Sequence, residues 1–322
     1  MHISDFLPEH VDAAAHLYVE NFKRLREYAP LLPDTLEHPA AIADKLSWLT
    51  TNAPGVAAWE NGQLVGYLGW FLVDQFRRAD RRGAYMAEWG HAAAEGEKRR
   101  MYRAMYRAAS EQMETARAQV HAITLLANDP ETEKMWYWSG FGLTVVDCIR
   151  PMEAIGAPKP AGLAIRKATA ADAPRLAQID EEHCRHYTQP PTFMVLPPAD
   201  SAEQFAEFLA QPGNSVWIAE DGNTLAGFMR FNAGEYDGVE ILNAPGMVGI
   251  NAAYVRPEYR GRGIAPAILD AGLGYYADQG VTRCMTNFES LNPEASALWM
   301  RYFQPVAYSL LRVPEREPGE GV

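Results

Sequence analysis

The amino-acid sequence predicts an α/β (α+β) protein of two tandem domains, each a mixed, mostly antiparallel sheet flanked by helices. A chain of 322 residues is long for one compact domain, and an apolar content of 48% is ample for two cores. One order of strands and helices occurs twice along the chain. Between the two copies, residues 154–162 have the proline, alanine and glycine content of a linker.

The first copy, residues 1–153, begins with a short strand and a helix that reaches about Phe22. The Asn61-Gly62 pair between apolar runs is the strongest short-range signal of a β-hairpin. The other elements are predicted as a helix over 40–49, a strand over 84–89, a long helix over about 95–118, a strand over 120–126, a helix over 130–138 and a strand over 143–149.

The second copy, residues 163–313, repeats this order, with its hairpin around Asp221-Gly222. Gly227 stands 161 positions after Gly66 (227 − 66), and Pro293 stands 163 positions after Pro130 (293 − 130). The hairpins alone could coincide by chance, because such turns are common, but two landmarks at nearly one offset indicate a duplicated domain. The tail, residues 314–322, is rich in proline, glutamate and glycine, and we expect it to be disordered.

Charge and cysteine usage exclude several classes of function. The chain has 41 acidic and 29 basic residues and a net charge of −12, which argues against a general nucleic-acid binder. Its three cysteines, Cys148, Cys184 and Cys284, lie far apart and lack metal-ligand spacing, which favours a cytoplasmic location. We expect no membrane partner, because no apolar segment is long enough to span a bilayer and the N-terminus does not resemble a signal peptide.

One turn in the second copy is suited to binding an anion. An apolar strand ends near Val255, and a helix with apolar residues at helical spacing begins near Ile264. Gly261 and Gly263 stand between them, so backbone N–H groups at the start of the helix are not covered by side chains. Such a turn can hold a diphosphate, although a short glycine motif can also merely join a strand to a helix.

The residues of this turn resemble the acetyl-CoA signature of the GNAT acyltransferases. Arg260-x-x-Gly263-x-Ala265 follows Val255-x-Pro257 and precedes an apolar helix. The dinucleotide fingerprint G-x-G-x-x-G fits less well, since Pro266 occupies its third glycine position. The resemblance implies acetyl-CoA as co-substrate and no metal. It implies that the coenzyme is bound by Ala253, Val255, Arg260, Gly261, Arg262, Gly263, Ile264, Ala265 and Asn292.

The resemblance also implies two catalytic groups. In the family, a backbone N–H of the strand before the turn stabilises the oxyanion, here at Tyr254 or Val255. A tyrosine in an Asn-x-x-Ala-x-x-x-Tyr helix often protonates the thiolate, but this chain has Trp299 at that position, and an indole is no proton donor. Tyr302, one turn further on, is the nearest substitute, and its alternative role is in the core.

Candidates for the general base are a water beside Asn251 and the carboxylates of Glu235, Asp237 and Glu240, each of which can equally be a surface charge. Glu181, Glu182, His183 and His186 lie on the helix or loop that lines the acceptor pocket in the family. The two histidines favour a polar helix face over a metal site, because no third ligand is evident. An acidic, histidine-containing pocket entrance would attract a cationic amine.

The first copy lacks the features of the turn. In the register of the repeat, Glu97 corresponds to Arg260 and Arg100 to Gly263. Carboxylates beside a phosphate would repel it, and a side chain at the second glycine would block close approach of the backbone. We therefore expect no coenzyme in the first copy.

The sequence thus predicts an acyl-CoA-dependent N-acetyltransferase that moves an acetyl group to the amine of a small molecule, with the chemistry in the second copy. Tandem domains with one silent half are similar to mycothiol synthase-like members of the family. Two alternatives remain, namely a non-catalytic acyl-CoA-binding or sensing module and a protein or peptide N-acetyltransferase. A monomer and a homodimer are equally compatible with the sequence.

Overall fold

The repeated order of elements forms sheets flanked by helices, as predicted, in a computed structural model that describes residues 1–234, 236 and 238–316. The chain divides into two compact units: unit 1 comprises residues 1–146 and the chain from Val306 onward, and unit 2 comprises Asp147–Pro305. The bounds 1–153 and 163–313 follow the sequence repeat rather than these units, and they stay a prediction. Of the predicted tail, only residues 314–316 belong to the described part.

The strands of the described residues are β1 (His2–Asp5), β2 (Gly55–Glu60), β3 (Gln63–Gly69), β4 (Phe71–Val73), β5 (Gly83–Met86), β6 (His91–Ala93), β7 (Val120–Leu126), β8 (Gly142–Pro151), β9 (Ala164–Lys167), β10 (Ser215–Asp221), β11 (Thr224–Asn232), β12 (Met247–Val255), β13 (Arg283–Glu289) and β14 (Gln304–Arg312). Both predicted hairpins form, as β2–β3 and β10–β11.

The α-helices of the described residues are α1 (Val11–Tyr28), α2 (Pro39–Asn52), α3 (Lys98–Thr115), α4 (Pro130–Trp138), α5 (Ala173–His186), α6 (Ala202–Ala210), α7 (Ile264–Ala277) and α8 (Pro293–Tyr302). Among the residues that the structure describes, no helix combines the length and the apolar character needed to cross a membrane.

Unit 1 contains two separate sets of strands. One is ordered β1-β2-β3-β6, and its pairs are antiparallel. The other is ordered β4-β5-β7-β14 and continues to the first half of β8, with β5 and β7 parallel. The last strand of the chain, β14, is antiparallel to β7, so the C-terminal strand belongs to unit 1. The sequence repeat did not reveal this placement.

The core of unit 1 lies between these strands and helix α3. Methionines one to three turns apart on α3 are buried against the aromatic cluster of Trp136, Tyr106 and Phe141. Gly66, one of the repeat landmarks, faces the Met105 side chain so closely that an added Cβ would lie 2.9 Å from it. A side chain at position 66 would therefore require the tip of the Met105 side chain to move.

Unit 2 is built on one sheet, ordered from the second half of β8 through β13-β12-β11-β10-β9. The β12–β13 pair is parallel, and the β9–β10, β10–β11 and β11–β12 pairs are antiparallel. Gly227 in β11 corresponds to Gly66, and a Cβ there would lie 2.7 Å from the Tyr254 carbonyl oxygen. The landmark glycines of both units thus permit close packing.

Two buried histidines in unit 1 form hydrogen bonds to core residues through their ring nitrogens. The Nε2–H of His91 donates to the Thr124 carbonyl oxygen and its Nδ1 accepts from the Tyr102 hydroxyl, each at 2.9 Å. The His121 Nδ1 lies 2.8 Å from the Tyr106 hydroxyl. Burial lowers the pKa of both histidines to about 4. Both rings are therefore neutral at pH 7.

Two glycines of α7 allow a matched test of packing. Gly272 faces the ring of the fully buried Phe231, and an added Cβ would lie 2.3 Å from that ring, whereas a Cβ at Gly274 would meet nothing within 4 Å. We expect Gly272→Ala to lower the free energy of unfolding by about 1–3 kcal/mol through overpacking. Gly274→Ala should raise it by about 0.5–1 kcal/mol through helix propensity. Denaturant unfolding of both variants checks this, and equal effects would contradict the packing of α7.

The buried histidines predict a loss of stability in acid. Their folded pKa of about 4 lies below the ordinary 6.5, so between these values the unfolded chain binds protons that the folded chain does not. The free energy of unfolding should therefore fall as the pH decreases through this window, by up to about 1.4 kcal/mol per pH unit for each histidine.

Denaturant unfolding of the wild type and of a His91→Gln, His121→Gln double variant, measured across this window, tests the effect. The double variant should show the shallower pH dependence. His16→Gln is the control, because His16 is exposed on α1. A double variant with the wild-type slope would show that these rings do not cause the acid lability.

Candidate active site

The site of unit 2 begins where β12 loses its parallel partner. The β12–β13 pairing runs from Met247 to Ile250 and then stops, although β12 continues to Val255 and β13 to Glu289. Asn251 is an extra residue at this point, because Arg230 pairs with Ala252 but the next residue of β11 pairs with Ile250. This β-bulge bends the strand at the place where the ladder ends.

The bulge leaves backbone donors on the open side of β12. Arg256 N–H donates to the Ala226 carbonyl oxygen at 2.9 Å. Because hydrogen-bonded pairs alternate in an antiparallel ladder, Tyr254 also directs its N–H toward β11, whereas Ala253 and Val255 direct theirs to the opposite side. Of the two oxyanion donors expected from the sequence, the geometry favours Val255.

The turn after β12 has the backbone conformation of an anion cradle. Gly261 and Gly263 have φ angles of 73° and 76°, in the left-handed region that favours glycine. An added Cβ at either would meet no atom within 4 Å, so the backbone there is uncovered. Gly263 is the N-cap of α7, and no side chain caps this end of the helix. Its N–H groups and the helix dipole together favour a bound anion.

Arg260 is held beside this turn by two contacts. Its Nε donates to the Val255 carbonyl oxygen at 3.0 Å, and its guanidinium donates to the Glu294 carboxylate at 2.6 Å. The Arg262 guanidinium lies 5.3 Å from the centre of the Tyr259 ring. These two contacts hold the positively charged guanidinium of Arg260 between the end of β12 and the start of α8.

A cavity of about 360 Å³ joins these features. Its volume is within the range of small-molecule sites. Arg262 and Tyr302 do not line it. Nine residues predicted from the sequence do so, namely Ala253, Tyr254, Val255, Arg260, Gly261, Gly263, Ile264, Ala265 and Asn292.

Helix α8 forms one wall of the cavity. Asn292 is its N-cap, and the Asn292 side chain accepts a hydrogen bond from the Ala295 N–H at 3.1 Å. Trp299 is 4% exposed and lines the cavity, where the family has its tyrosine. Tyr302 ends α8, and the Arg301 guanidinium lies 5.5 Å from its ring centre. The structure therefore does not bring Tyr302 to the cavity.

The opposite wall comes from α5 and the residue that follows it. His183, His186 and Tyr187 line the cavity, with the ring centre of His183 5.8 Å from that of Tyr254. His183 Nδ1 lies 3.0 Å from Asp180 Oδ1, and its Nε2 is buried without a hydrogen-bond partner among the described residues. The sequence pointed to His183 but missed Asp180, although their i, i+3 spacing on a helix is a readable signal.

Burial and local charge set the protonation of the other cavity groups. Burial lowers the pKa of His186, and the Arg260 guanidinium adds to this shift. Burial raises the pKa of Tyr187 to about 12 and also raises the pKa of Tyr254. Both phenols are therefore protonated at neutral pH and can donate hydrogen bonds or a proton.

Of the carboxylates considered from the sequence, those that the structure describes do not line the cavity. Glu181 pairs with Arg185 at 2.8 Å, and both oxygens of Glu182 accept from Arg256, at 2.9 and 2.8 Å. Neither residue lines the cavity, nor does Glu240. Glu235 and Asp237 lie outside the described residues. The acidic entrance expected from the sequence is thus largely neutralised by arginine at Glu181 and Glu182.

Asp180, His183 and Cys184 are close enough to be considered as a metal site, because their ligand atoms lie within 4.8 Å of one another. Both Asp180 oxygens, however, already accept hydrogen bonds, Oδ1 from His183 and Oδ2 from the Asp200 N–H at 2.9 Å. Both Asp180 oxygens are thus satisfied by His183 and Asp200 without a metal ion.

In unit 1, the start of helix α3 is hydrogen-bonded and ion-paired to side chains of the same unit. The N-cap of α3 is Glu97, with a φ of 56°, whereas the N-cap of α7 is Gly263. The Arg99 N–H donates to the Glu131 carboxylate at 3.2 Å. The Lys98 ammonium is buried between Asp129 and Glu95, at 2.7 and 2.6 Å.

A comparison with known families finds a match within unit 2. Residues 178–303 match the model of the Acetyltransferase (GNAT) family. The resemblance predicted from the turn after β12 is thereby confirmed, and the chain has the fold of tandem GNAT proteins. A search of curated proteins finds no match.

Solved structures show the same fold over nearly the whole chain. A GCN5-related N-acetyltransferase from Sphaerobacter thermophilus has a TM-score of 0.58 at 15% identity, with 98% of this chain and 97% of that chain covered. A tandem GNAT protein from the clavulanic acid biosynthesis pathway has a TM-score of 0.50 at 16% identity, with 100% and 99% covered. At these identities the likeness establishes the fold, and the family supports acyltransferase activity.

Proposed function

We propose that this protein is an N-acetyltransferase that transfers the acetyl group of acetyl-CoA to the amine of a small molecule, with the reaction in unit 2. The observation that carries this proposal is the cavity in which the open side of β12 meets the uncovered turn of Gly261 and Gly263. The GNAT family generally uses acetyl-CoA. The proposal therefore combines the acetyl donor that is typical of the family with a cavity whose residues can bind it.

The residues of the turn fit a diphosphate group. Left-handed glycines with open space at the Cβ position let the backbone approach the phosphates, and the N–H groups at the start of α7 can donate to them. Arg260 supplies a positive charge beside the turn. The bound coenzyme would supply a thioester, whose carbonyl carbon is the electrophile.

The open side of β12 fits the next requirement of acyl transfer. An amine attack on the thioester places negative charge on the carbonyl oxygen, and a fixed backbone N–H stabilises that charge. Val255 directs its N–H to this side, and the ladder to β13 has already ended there. The phenols of Tyr187 and Tyr254 line the same cavity and can protonate the thiolate that leaves.

Unit 1 is proposed to bind no coenzyme. At the start of α3 the Glu131 carboxylate already accepts the Arg99 N–H, and the Lys98 ammonium is buried in an ion pair with Asp129. An incoming diphosphate would therefore have to displace Glu131. Hydrogen bonds and charge from Lys98 hold the pKa of Asp129 below its usual range despite burial. This closed network gives unit 1 a structural role in the proposal.

A non-catalytic acyl-CoA-binding module is the second candidate, and one observation favours it. Trp299 lines the cavity at the position where the family has a tyrosine, so the usual proton donor is absent there. A protein or peptide acceptor remains the third candidate. The three cysteines are buried thiols, which fits the proposed cytoplasmic location.

Gly263→Glu should abolish acetyl-CoA binding, because a carboxylate and a side chain would enter the phosphate cradle. Gly280→Glu is the matched control in unit 2, since Gly280 has a similar φ of 79° and the same open space but lies outside the cavity. Gly96→Glu is the control in unit 1, with a φ of 75°. Both controls should bind like the wild type.

Isothermal titration calorimetry with acetyl-CoA measures this difference. Circular dichroism and thermal unfolding confirm that all three variants are folded, since each accepts about the same backbone strain. Loss of binding in Gly96→Glu together with retained binding in Gly263→Glu would place the coenzyme in unit 1 and overturn the proposal.

Thiol release identifies the reaction. We expect the wild type to release free CoA thiol from acetyl-CoA in the presence of at least one amine from a panel of simple amines, aminoglycosides and amino acids, and not with peptides. Mass spectrometry of the product should show one added acetyl group. Tight acetyl-CoA binding without thiol release would favour the binding module, and turnover of peptides alone would favour the protein acetyltransferase.

A further inference from the structure

We propose that His183 is the general base of acetyl transfer and that Asp180 positions its ring, an assignment that rests on the function proposed above. The two residues form a dyad on α5, one turn apart, at the cavity wall that faces Tyr254. The sequence left the general base open between a water beside Asn251 and the carboxylates of residues 235–240, and of these carboxylates Glu240, which the structure describes, does not line the cavity.

The Asp180 carboxylate fixes the orientation of the imidazole. Asp180 Oδ1 lies 3.0 Å from His183 Nδ1, and the side chains of both residues are only 10% exposed. Oδ2 accepts from the Asp200 N–H at 2.9 Å, which prevents the carboxylate from rotating freely. Asp180 is therefore held at Oδ2, and Oδ1 remains for the contact with the ring.

The dyad also sets the tautomer of the ring. A carboxylate can only accept a hydrogen bond, so Nδ1 carries the proton and the neutral ring presents its lone pair at Nε2. That Nε2 is buried and has no hydrogen-bond partner among the described residues. A buried polar atom without a partner is costly, which indicates that a ligand satisfies it.

A core histidine in the same chain shows the contrast. In unit 1, His91 has a partner at each ring nitrogen, the Tyr102 hydroxyl and the Thr124 carbonyl oxygen. His183 has a partner at Nδ1 alone, and its ring lines a cavity. A purely structural role for His183 would leave its Nε2 unexplained.

The titratable groups around His183 are compatible with a base at this position. On α5 and at its end these groups are Asp180, Cys184, His186 and Tyr187, and on β12 the facing group is Tyr254. The residues that β11 and α6 contribute to this packing, Phe228, Phe205 and Phe208, are apolar. Arg260 and Glu294 lie beside His186.

The chemical step balances within the site. The amine nitrogen attacks the thioester carbonyl carbon, and Nε2 of His183 removes a proton from that nitrogen. The C–N bond forms, the C–S bond breaks, and the coenzyme leaves as a thiolate. The proton that left the amine ends on the sulfur, which yields the N-acetyl product and free CoA thiol. No oxidant or metal is needed.

The kinetic test uses His183→Gln and Asp180→Asn, with His16→Gln as control. We expect His183→Gln to lower kcat/KM for thiol release by about 10²–10⁴-fold. The pH profile of kcat/KM should differ between the wild type and His183→Gln, because only the wild type carries the proposed base. The acceptor amine titrates equally in both, so the difference between the profiles reports the histidine. Acetyl-CoA binding should be unchanged in every variant.

A second readout does not depend on activity. Two-bond ¹H–¹⁵N NMR spectra of the wild type, with His183 assigned through the His183→Gln variant, should show a protonated Nδ1 and a bare Nε2 at neutral pH. In Asp180→Asn, the amide can donate to Nδ1, so the population should shift toward the Nε2–H tautomer. A wild-type ring protonated at Nε2 would overturn the proposal.

The outcomes separate the two proposals. His183→Gln with the wild-type kcat/KM and pH profile would overturn the role of His183 and leave acetyl transfer standing. A wild type that binds acetyl-CoA but releases no thiol with any amine would overturn the proposed function, and the assignment of the base would fall with it. Reduced activity of His183→Gln with the wild-type pH profile would show that His183 has only a structural role.

Discussion

The site of this protein depends on the early end of one strand pairing. Parallel strands β12 and β13 are hydrogen-bonded only as far as Ile250 and Thr286, and the bulge at Asn251 bends β12 where the ladder stops. Backbone N–H groups of a strand inside a sheet are normally hydrogen-bonded to the neighbouring strand. Those of β12 that lack this partner are therefore available to a ligand. The cavity lies along this stretch of β12, and the turn of Gly261 and Gly263 continues it.

The two units use the same helix start in opposite ways. In unit 2 the N-cap is a glycine, no side chain caps the helix, and the amides are uncovered. In unit 1 the N-cap is Glu97, Glu131 accepts from the Arg99 N–H, and Lys98 is buried in an ion-pair network. The electrostatic preference of a helix N-terminus for negative charge is thus satisfied internally in one unit and left for a ligand in the other.

The wall opposite the turn supplies protonation chemistry that the strand cannot. Backbone N–H groups stabilise negative charge but cannot take up a proton, so an amine-activating group must be a side chain. Helix α5 presents His183 with its tautomer set by Asp180, and the phenols of Tyr187 and Tyr254 remain protonated because burial raises their pKa. The proposed base, the phenols and the proposed oxyanion donor therefore come from α5, the residue after it and β12, around one cavity.

Local sequence determined the hairpins, the glycine turn and the apolar helix after it, because each depends on residues close together in the chain. The repeat was evident because two such local patterns recur at nearly one offset. The tertiary structure alone decided which side chains meet. Tyr302 and Trp299 are three residues apart on one helix, yet only Trp299 lines the cavity. Asp180 acquires its role from the partners it contacts, His183 and the Asp200 N–H. The C-terminal strand joins β7 through a ladder between residues far apart in sequence, and such pairing depends on long-range contacts that no local pattern records.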